Sequence, residues 1–212
     1  MRTAILSIIH RTKIALLRSL FFIPSAWIGR KSEIKAAGVS EQVYWIPANM
    51  MRSLGRATVF GTIRLNENLT ERFPQDVVEY VFLHERGHSN RSFARLVWFI
   101  LGTTLTLLSA MLSGVFLVIF SLFAVGNITL QVVGLLGLSV CLLIIFSWLH
   151  CRIKFNEELR AEKYALNHLG EDEFRQRSET AEEIVNRSWW NQLRRRLLYP
   201  SVETVISENE DG

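Results

Sequence analysis

Residues 96–149, LVWFILGTTLTLLSAMLSGVFLVIFSLFAVGNITLQVVGLLGLSVCLLIIFSWL, decide how the chain is read. The stretch holds no Asp, Glu, Lys or Arg, so the 44 charged residues of the 212-residue chain (24 basic, 20 acidic) all lie outside it. A bilayer core about 30 Å thick takes about 20 apolar residues per helical span. This run is too long for one span and suits two, residues 96–125 and 130–149, joined by an uncharged turn at Gly126-Asn127. The overall figures, 49% apolar and a net charge of +4, are those of an ordinary soluble enzyme. Their placement excludes a purely soluble domain and predicts a transmembrane hairpin.

The flanks give the hairpin its orientation. Arg86, Arg91 and Arg95 precede the first span, and Arg152 and Lys154 follow the second. The turn carries no positive charge. The positive-inside rule then places both flanks in the cytoplasm, in a multi-pass protein of the cell (inner) membrane. The flanks hold roughly 95 and 60 residues, each near or below a comfortable size for a core of its own, so they are expected to fold together. Cys141 and Cys151 are ten residues apart on one helix and cannot pair there. The pI of 9.3 arises from Lys and Arg beside apolar segments, with no aromatic-interleaved stripe, so membrane lipids are the expected counter-charge and nucleic acid is not.

Before the hairpin, residues 4–28 are apolar but interrupted by His10, Arg11, Lys13 and Arg18. That pattern suits a basic amphipathic helix lying in the headgroup region, with Trp27 at the interface; a shallow or re-entrant insertion of 14–28 is the alternative. A polar segment runs on to about Ser40. Residues 43–46 and 57–65, rich in β-branched and aromatic side chains with Gly punctuation, predict short strands. After Phe73-Pro74 a helix is expected, because Pro suits a first turn and Asp76 and Glu79 favour the positive end of the dipole. Its apolar positions Val77, Val78, Val81 and Phe82 recur at helical spacing. Beyond the hairpin, helices are expected over 157–169, stopped by Gly170, and over 172–185. Residues 208–212 read as a frayed acidic tail.

The helix after Pro74 carries His84-Glu85-Arg86-Gly87-His88. Residues i and i+4 share a helix face, so both imidazoles can reach one zinc ion while Glu85 points to where a water would sit as its general base. The plain alternative is a pair of histidines on a solvated face. A catalytic zinc needs a third protein ligand and one open position. Glu157, Glu158 and Glu162 lie on the helix that the hairpin returns to the side it left. Glu158 and Glu162 share a face, so one can ligate and the other can accept the distal N–H of a ligating histidine. For the same stretch the plain alternative is a solvated helix laced with salt bridges.

An HExxH helix, an apolar hairpin and then Glu158-Leu-Arg-Ala-Glu162-Lys-Tyr-Ala resemble the HtpX and CAAX prenyl protease family of integral-membrane gluzincin metallopeptidases. The resemblance covers roughly 43–206 and implies a mainly α membrane protein with a small β element. It makes Glu158 the third zinc ligand, beside His84 and His88, and Glu162 the residue behind it. It also implies that 61–65 resemble the family's edge strand, to which a substrate strand would add near 62–65. Tyr199-Pro200-Ser201-Val202-Glu203 is similar to the family's His-Pro-x-x-Glu segment, which makes Tyr199 a candidate oxyanion donor. Three positions depart from the pattern. Glu162 stands where the family has Asp, Arg86 where it has an apolar residue, and Tyr199 where it has His. Arg86, being charged, is expected to face solvent or lipid phosphate.

The expected organisation is a membrane-associated segment (1–40), the first half of a peptidase domain (41–95), the hairpin (96–150), the second half (151–207) and the tail (208–212). The expected activity is zinc-dependent endoproteolysis of protein or peptide substrates at or near the membrane, with one Zn2+ per chain and an unknown oligomeric state. A catalytically silent zinc-binding scaffold and a sensor-type peptidase that cleaves a repressor are the competing readings. An intramembrane site-two-type protease fits poorly, since the motif precedes the span and no Asp occurs between Asp76 and Asp172.

Overall fold

Residues 30–36 place Lys31, Glu33 and Lys35 on one side of an extended chain and Ile34 and Ala36 on the other, and they form a strand. The computed structural model describes residues 24–51, 53–58, 61–124, 130–185 and 189–210. In it β1 (Arg30–Ala36) runs antiparallel to β2 (Val39–Ile46), with Ala36 opposite Val39. Ala37 and Gly38 between them both take positive φ, 47° and 80°, the two left-handed conformations that a type I′ hairpin turn requires. β1 and the start of β2 lie in the last part of the segment, 1–40, that was expected to be membrane-associated. The part of that segment at 1–23 lies outside the described residues, and Ser25–Trp27 is a single 3-10 turn.

The strand expected over 57–65 is two strands. β3 (Gly55–Ala57) and β4 (Ile63–Asn66) pair antiparallel, and the chain reverses at Gly61, whose φ is 77°. Thr58 N–H donates to the Thr62 carbonyl at 2.9 Å across that reversal. The sheet order is β1-β2-β4-β3, with β2 and β4 parallel. β4 is thus interior and wholly buried. The expectation that 61–65 form an edge strand is overturned, and β1 and β3 are the edges.

Side chains alternate between faces of a strand, and this sheet uses both. Ile34, Ala36, Val43, Trp45, Ile63 and Leu65 face one core. Ile46 and Met51 face a smaller cluster with Ile28, Tyr44 and Met50. A short helix α1 (Asn68–Arg72) leads to α2 (Gln75–Ser89). Pro74 precedes the first turn of α2, where a missing N–H costs nothing, and Asp76 sits in that turn. Val77, Val78, Val81, Phe82 and Leu83 of α2 pack into the larger core.

Two long helices follow, α3 (Phe93–Ala124) and α4 (Leu130–Leu169), then α5 (Glu171–Val185), α6 (Trp189–Leu198) and α7 (Val202–Glu210). α4 joins the second apolar run to the charged segment after it without a break, and it ends at Gly170, whose φ is 81°. The expected frayed tail is helical through Glu210. Asn209 Nδ2 donates to Asn167 Oδ1 at 3.1 Å, and Lys163 Nζ lies 3.7 Å from Glu208 Oε2, which ties α7 to α4.

The chain divides into two compact units, and the division falls within α4. The first contains the described parts of 24–91, 159–191 and 201–210; the second contains those of 92–158 and 192–200. Inside the second, Thr106 Oγ1 lies 3.3 Å from His150 Nδ1, Lys154 Nζ sits 4.8 Å from the centre of the Phe99 ring, and Ser113 and Ser139 are buried. Most of the large apolar side chains on α3 and the first half of α4 point outward. Both helices are long and apolar enough to cross a membrane, and only 11% and 6% of their most apolar windows are buried. A core helix of a soluble protein would be mostly covered.

Candidate metal centre

The last two turns of α2 lie against residues 159–166 of α4, and Gly87 sets their distance. A Cβ at position 87 would stand 2.7 Å from the Ala161 Cα and 2.8 Å from its carbonyl oxygen. Only the absence of a side chain lets the two backbones approach so closely. The end of α2 is held as well. Arg91 Nε donates to the His88 carbonyl at 2.6 Å, and Arg160 Nη1 donates to the Asn90 carbonyl at 3.2 Å.

This packing positions a buried polar group. Glu162, on α4, receives the Tyr80 hydroxyl at 3.0 and 2.9 Å to its two carboxylate oxygens, and His84 Nδ1 lies 3.2 Å from Oε1. Tyr80 and Glu162 are buried, and the Phe174 ring meets Tyr80 edge-on at 5.9 Å. A carboxylate beside Nδ1 is the kind of neighbour that leaves the Nε2 of a histidine available to a metal. The longer Glu reaches where the resemblance implies Asp, and the Tyr80 phenol steadies the carboxylate. Tyr80 is absent from the residues chosen from sequence. Its signal was available, because it stands four residues before His84 and shares its face.

Glu158 stands one turn before Glu162 on the same unbroken helix. His84, His88 and Glu158 form a group whose ligand atoms all lie within 4.8 Å of one another. The imidazoles of His84 and His88 meet at 85° with centres 4.8 Å apart. Bonds of 2.0–2.2 Å at tetrahedral angles put ligand atoms about 3.4 Å apart, within the 4.8 Å that bounds this group. Two imidazoles and a carboxylate that leave a fourth position free match the donor set of catalytic zinc sites. The residues present fit a metal ion of that kind.

Glu85 lies between His84 and His88 in sequence and is 7% exposed. Its cover is β3. A Cβ on Gly55 would fall 2.5 Å from Glu85 Cγ and 2.7 Å from Oε1, so the edge strand rests on this carboxylate. Gly55 is a second residue that sequence patterning did not single out. Arg86 turns away from the site: its Nε lies 2.7 Å from Glu41 Oε2 on β2. The expectation that it faces solvent or lipid phosphate is corrected to an ion pair within the domain. Tyr199 lies between α6 and α7, half-buried, in the second unit, and it is outside the His84–His88–Glu158 group.

Two other charged groups depart from their ordinary values, one through burial and one through hydrogen bonds. Burial pushes the Arg64 guanidinium below its ordinary value, with Arg56 across the strand pair pushing the same way. Glu203, at the start of α7, is held below the usual carboxylate range by its own backbone N–H and by Ser201.

Compared with protein-family models, with curated proteins and with solved structures, the chain matches none.

Proposed function

We propose that the chain is a membrane-embedded zinc-dependent endopeptidase that hydrolyses peptide bonds of membrane or membrane-proximal proteins from the cytoplasmic side. The observation that carries the reading is the His84–His88–Glu158 group on two helices locked together at Gly87, with Glu85 set between the histidines. The resemblance to the HtpX and CAAX prenyl protease family supports it independently, because it selects the same three ligands and the same residue behind them.

Zinc, held by His84, His88 and Glu158, would supply polarisation of the scissile carbonyl and a lowered pKa for the attacking water. The chain's own residues do the rest. Glu85 takes a proton from that water and delivers it to the leaving nitrogen. Cover by β3 at Gly55 keeps bulk water away from the Glu85 side chain. Glu162 and Tyr80 hold His84 in one tautomer. The substrate strand adds to β3, the edge strand, through main-chain hydrogen bonds that tolerate many sequences. The apolar helices, with their outward-facing side chains, provide the anchorage, and Arg91, Arg95, Arg152 and Lys154 fix the cytoplasmic orientation.

Zinc content and cleavage of casein, measured in detergent on the native chain and two variants, test the reading. Glu85→Ala is expected to keep its zinc and lose cleavage by 100-fold or more, on the order of a general base's contribution. Glu158→Ala is expected to lose most of its zinc. Full zinc retention in Glu158→Ala sinks the ligand set, and a native chain that binds zinc but cleaves nothing favours the scaffold reading. A reporter fused at Asn127 is expected on the non-cytoplasmic side, and a cytoplasmic signal overturns the orientation.

A further inference from the structure

Between Glu183 and Glu203 the chain holds no acidic residue, but it holds four arginines, Arg187, Arg194, Arg195 and Arg196. The last three fall in α6, whose sequence is WWNQLRRRLL. Its ten residues, at 1.5 Å each, make a helix of about 15 Å, about half the thickness of a bilayer core. α6 is too short to cross a membrane, and its residues are arranged for lying along one.

At about 100° per residue, Leu193 and Leu197 fall on one side of α6, together with positions 189 and 190, both Trp in the sequence. Positions 194 and 196, both Arg, border that apolar arc at about 80° on either hand of its middle. Leu193 is 43% and Leu197 56% exposed, and Gln192 and Arg196 are exposed as well. Leu198, about 100° round from Leu197, is half-buried, and Pro200 is buried. The protein thus takes hold of the end of α6 on another side and leaves the side with Leu193 and Leu197 uncovered by the described residues.

Isolated exposed leucines are ordinary. Two on one face bordered by arginine are the pattern of an interfacial helix, in which apolar burial and attraction to anionic headgroups act together. The place of α6 in the fold favours the same occupant. Gln192–Pro200 falls in one compact unit with Ser92–Glu158, which carries most of the length of the two helices apolar enough to cross a membrane.

We infer that α6 is a membrane-surface helix that binds anionic lipid, with its Leu193–Leu197 side seated below the headgroups and the bordering positions 194 and 196 level with the lipid phosphates. It rests on the reading that the apolar helices span a bilayer, and it adds a class of partner, a surface of anionic headgroups. The segment between α5 and α7 thereby gains a hold of its own on the membrane, beside that of the spans.

The test uses the full chain with Cys141→Ala and Cys151→Ala and one new cysteine, Leu197→Cys, Gln192→Cys or Ile144→Cys, labelled with a polarity-sensitive fluorophore. Each protein is reconstituted into vesicles of phosphatidylcholine alone or of an equal mixture with phosphatidylglycerol, with or without lipids that carry a nitroxide quencher. The label at 197 is expected to shift to the blue and be quenched by lipid in the mixture, and much less in phosphatidylcholine. The label at 192 is expected to stay in water in both, and the label at 144 to be quenched in both. Arg194→Gln with Arg196→Gln is expected to lower the ratio of seated to free α6, read at 197, about fivefold for each charge removed. High salt acts in the same direction. An unaltered near-ultraviolet circular dichroism spectrum establishes that the variants are folded, and if the double variant does not fold, Arg196→Gln decides. A label at 197 that stays in water in the mixture overturns the inference. So does one shielded without lipid quenching, which means that protein covers this side, and so does quenching indifferent to lipid charge and to the arginines. Quenching at 144 with none at 197 leaves the membrane reading standing, whereas none at 144 overturns that reading and the inference with it.

Discussion

The two halves of α4 belong to one helix but are built for different surroundings. Residues 132–149 present Leu138, Val140, Ile144, Ile145 and Trp148 outward. Residues 159–166 instead bury Ala161, Glu162, Ala165 and Leu166. The first half is covered only if something apolar surrounds it, which a bilayer does under the proposed function. The second half depends on small side chains and on a neighbour whose backbone comes within contact distance. Sensitivity to substitution therefore changes along a single helix. Where packing is protein against protein an added methylene is felt, whereas facing lipid it changes little.

The largest expected break is Gly87→Leu. With a Cβ already 2.7 Å from the Ala161 backbone, the helices must separate, at an expected cost of about 3 kcal/mol or more. Limited proteolysis is expected to show the first unit opened, with zinc lost. Tyr80→Phe is milder. It removes a buried hydroxyl that donates to a carboxylate, worth about 1.5–3 kcal/mol, and weakens zinc binding about tenfold through His84. A metal-chelator competition assay reads that change, and an unchanged affinity would detach Tyr80 from the site. The smallest effects belong to the apolar half. Thr106→Val loses the contact to His150 and is expected to cost about 1 kcal/mol or less. Leu138→Val is expected to leave unfolding in detergent within about 0.5 kcal/mol of native. A loss at Leu138 as large as that at Gly87 would mean that its exposed face meets protein.

The same contrast explains what could be read from the residues alone. The apolar half announced itself through the absence of charge. α2 announced itself through apolar residues at helical period, and the His84–His88 pair through its i, i+4 spacing. Gly170 ended α4 as expected. β1 escaped because its outward residues Lys31, Glu33 and Lys35 outnumber its buried ones, although their spacing of two and the Ala37-Gly38 turn were both visible. The continuity of α4 escaped because a change from apolar to charged composition resembles a boundary. Nothing in residues 141–169 breaks a helix, since the stretch has neither Gly nor Pro. Tyr80 and Gly55 were the hardest to read. Their roles arise from contacts with Glu162 and Glu85, and Glu162 lies 82 positions from Tyr80 in the chain.

The order of the pieces along the chain has a consequence for how the protein is made. His84 and His88 leave the ribosome early, but Glu158 follows His88 by 70 positions (158 − 88), with both long apolar helices in between. At 5–20 residues per second the donor set stays incomplete for roughly 4 to 14 s. During that interval both long apolar helices are completed, and a chain arrested before residue 158 has only two of the three residues of the candidate metal group. Under the proposed function, synthesis itself thus delays the appearance of a cutting centre until the anchoring segments exist.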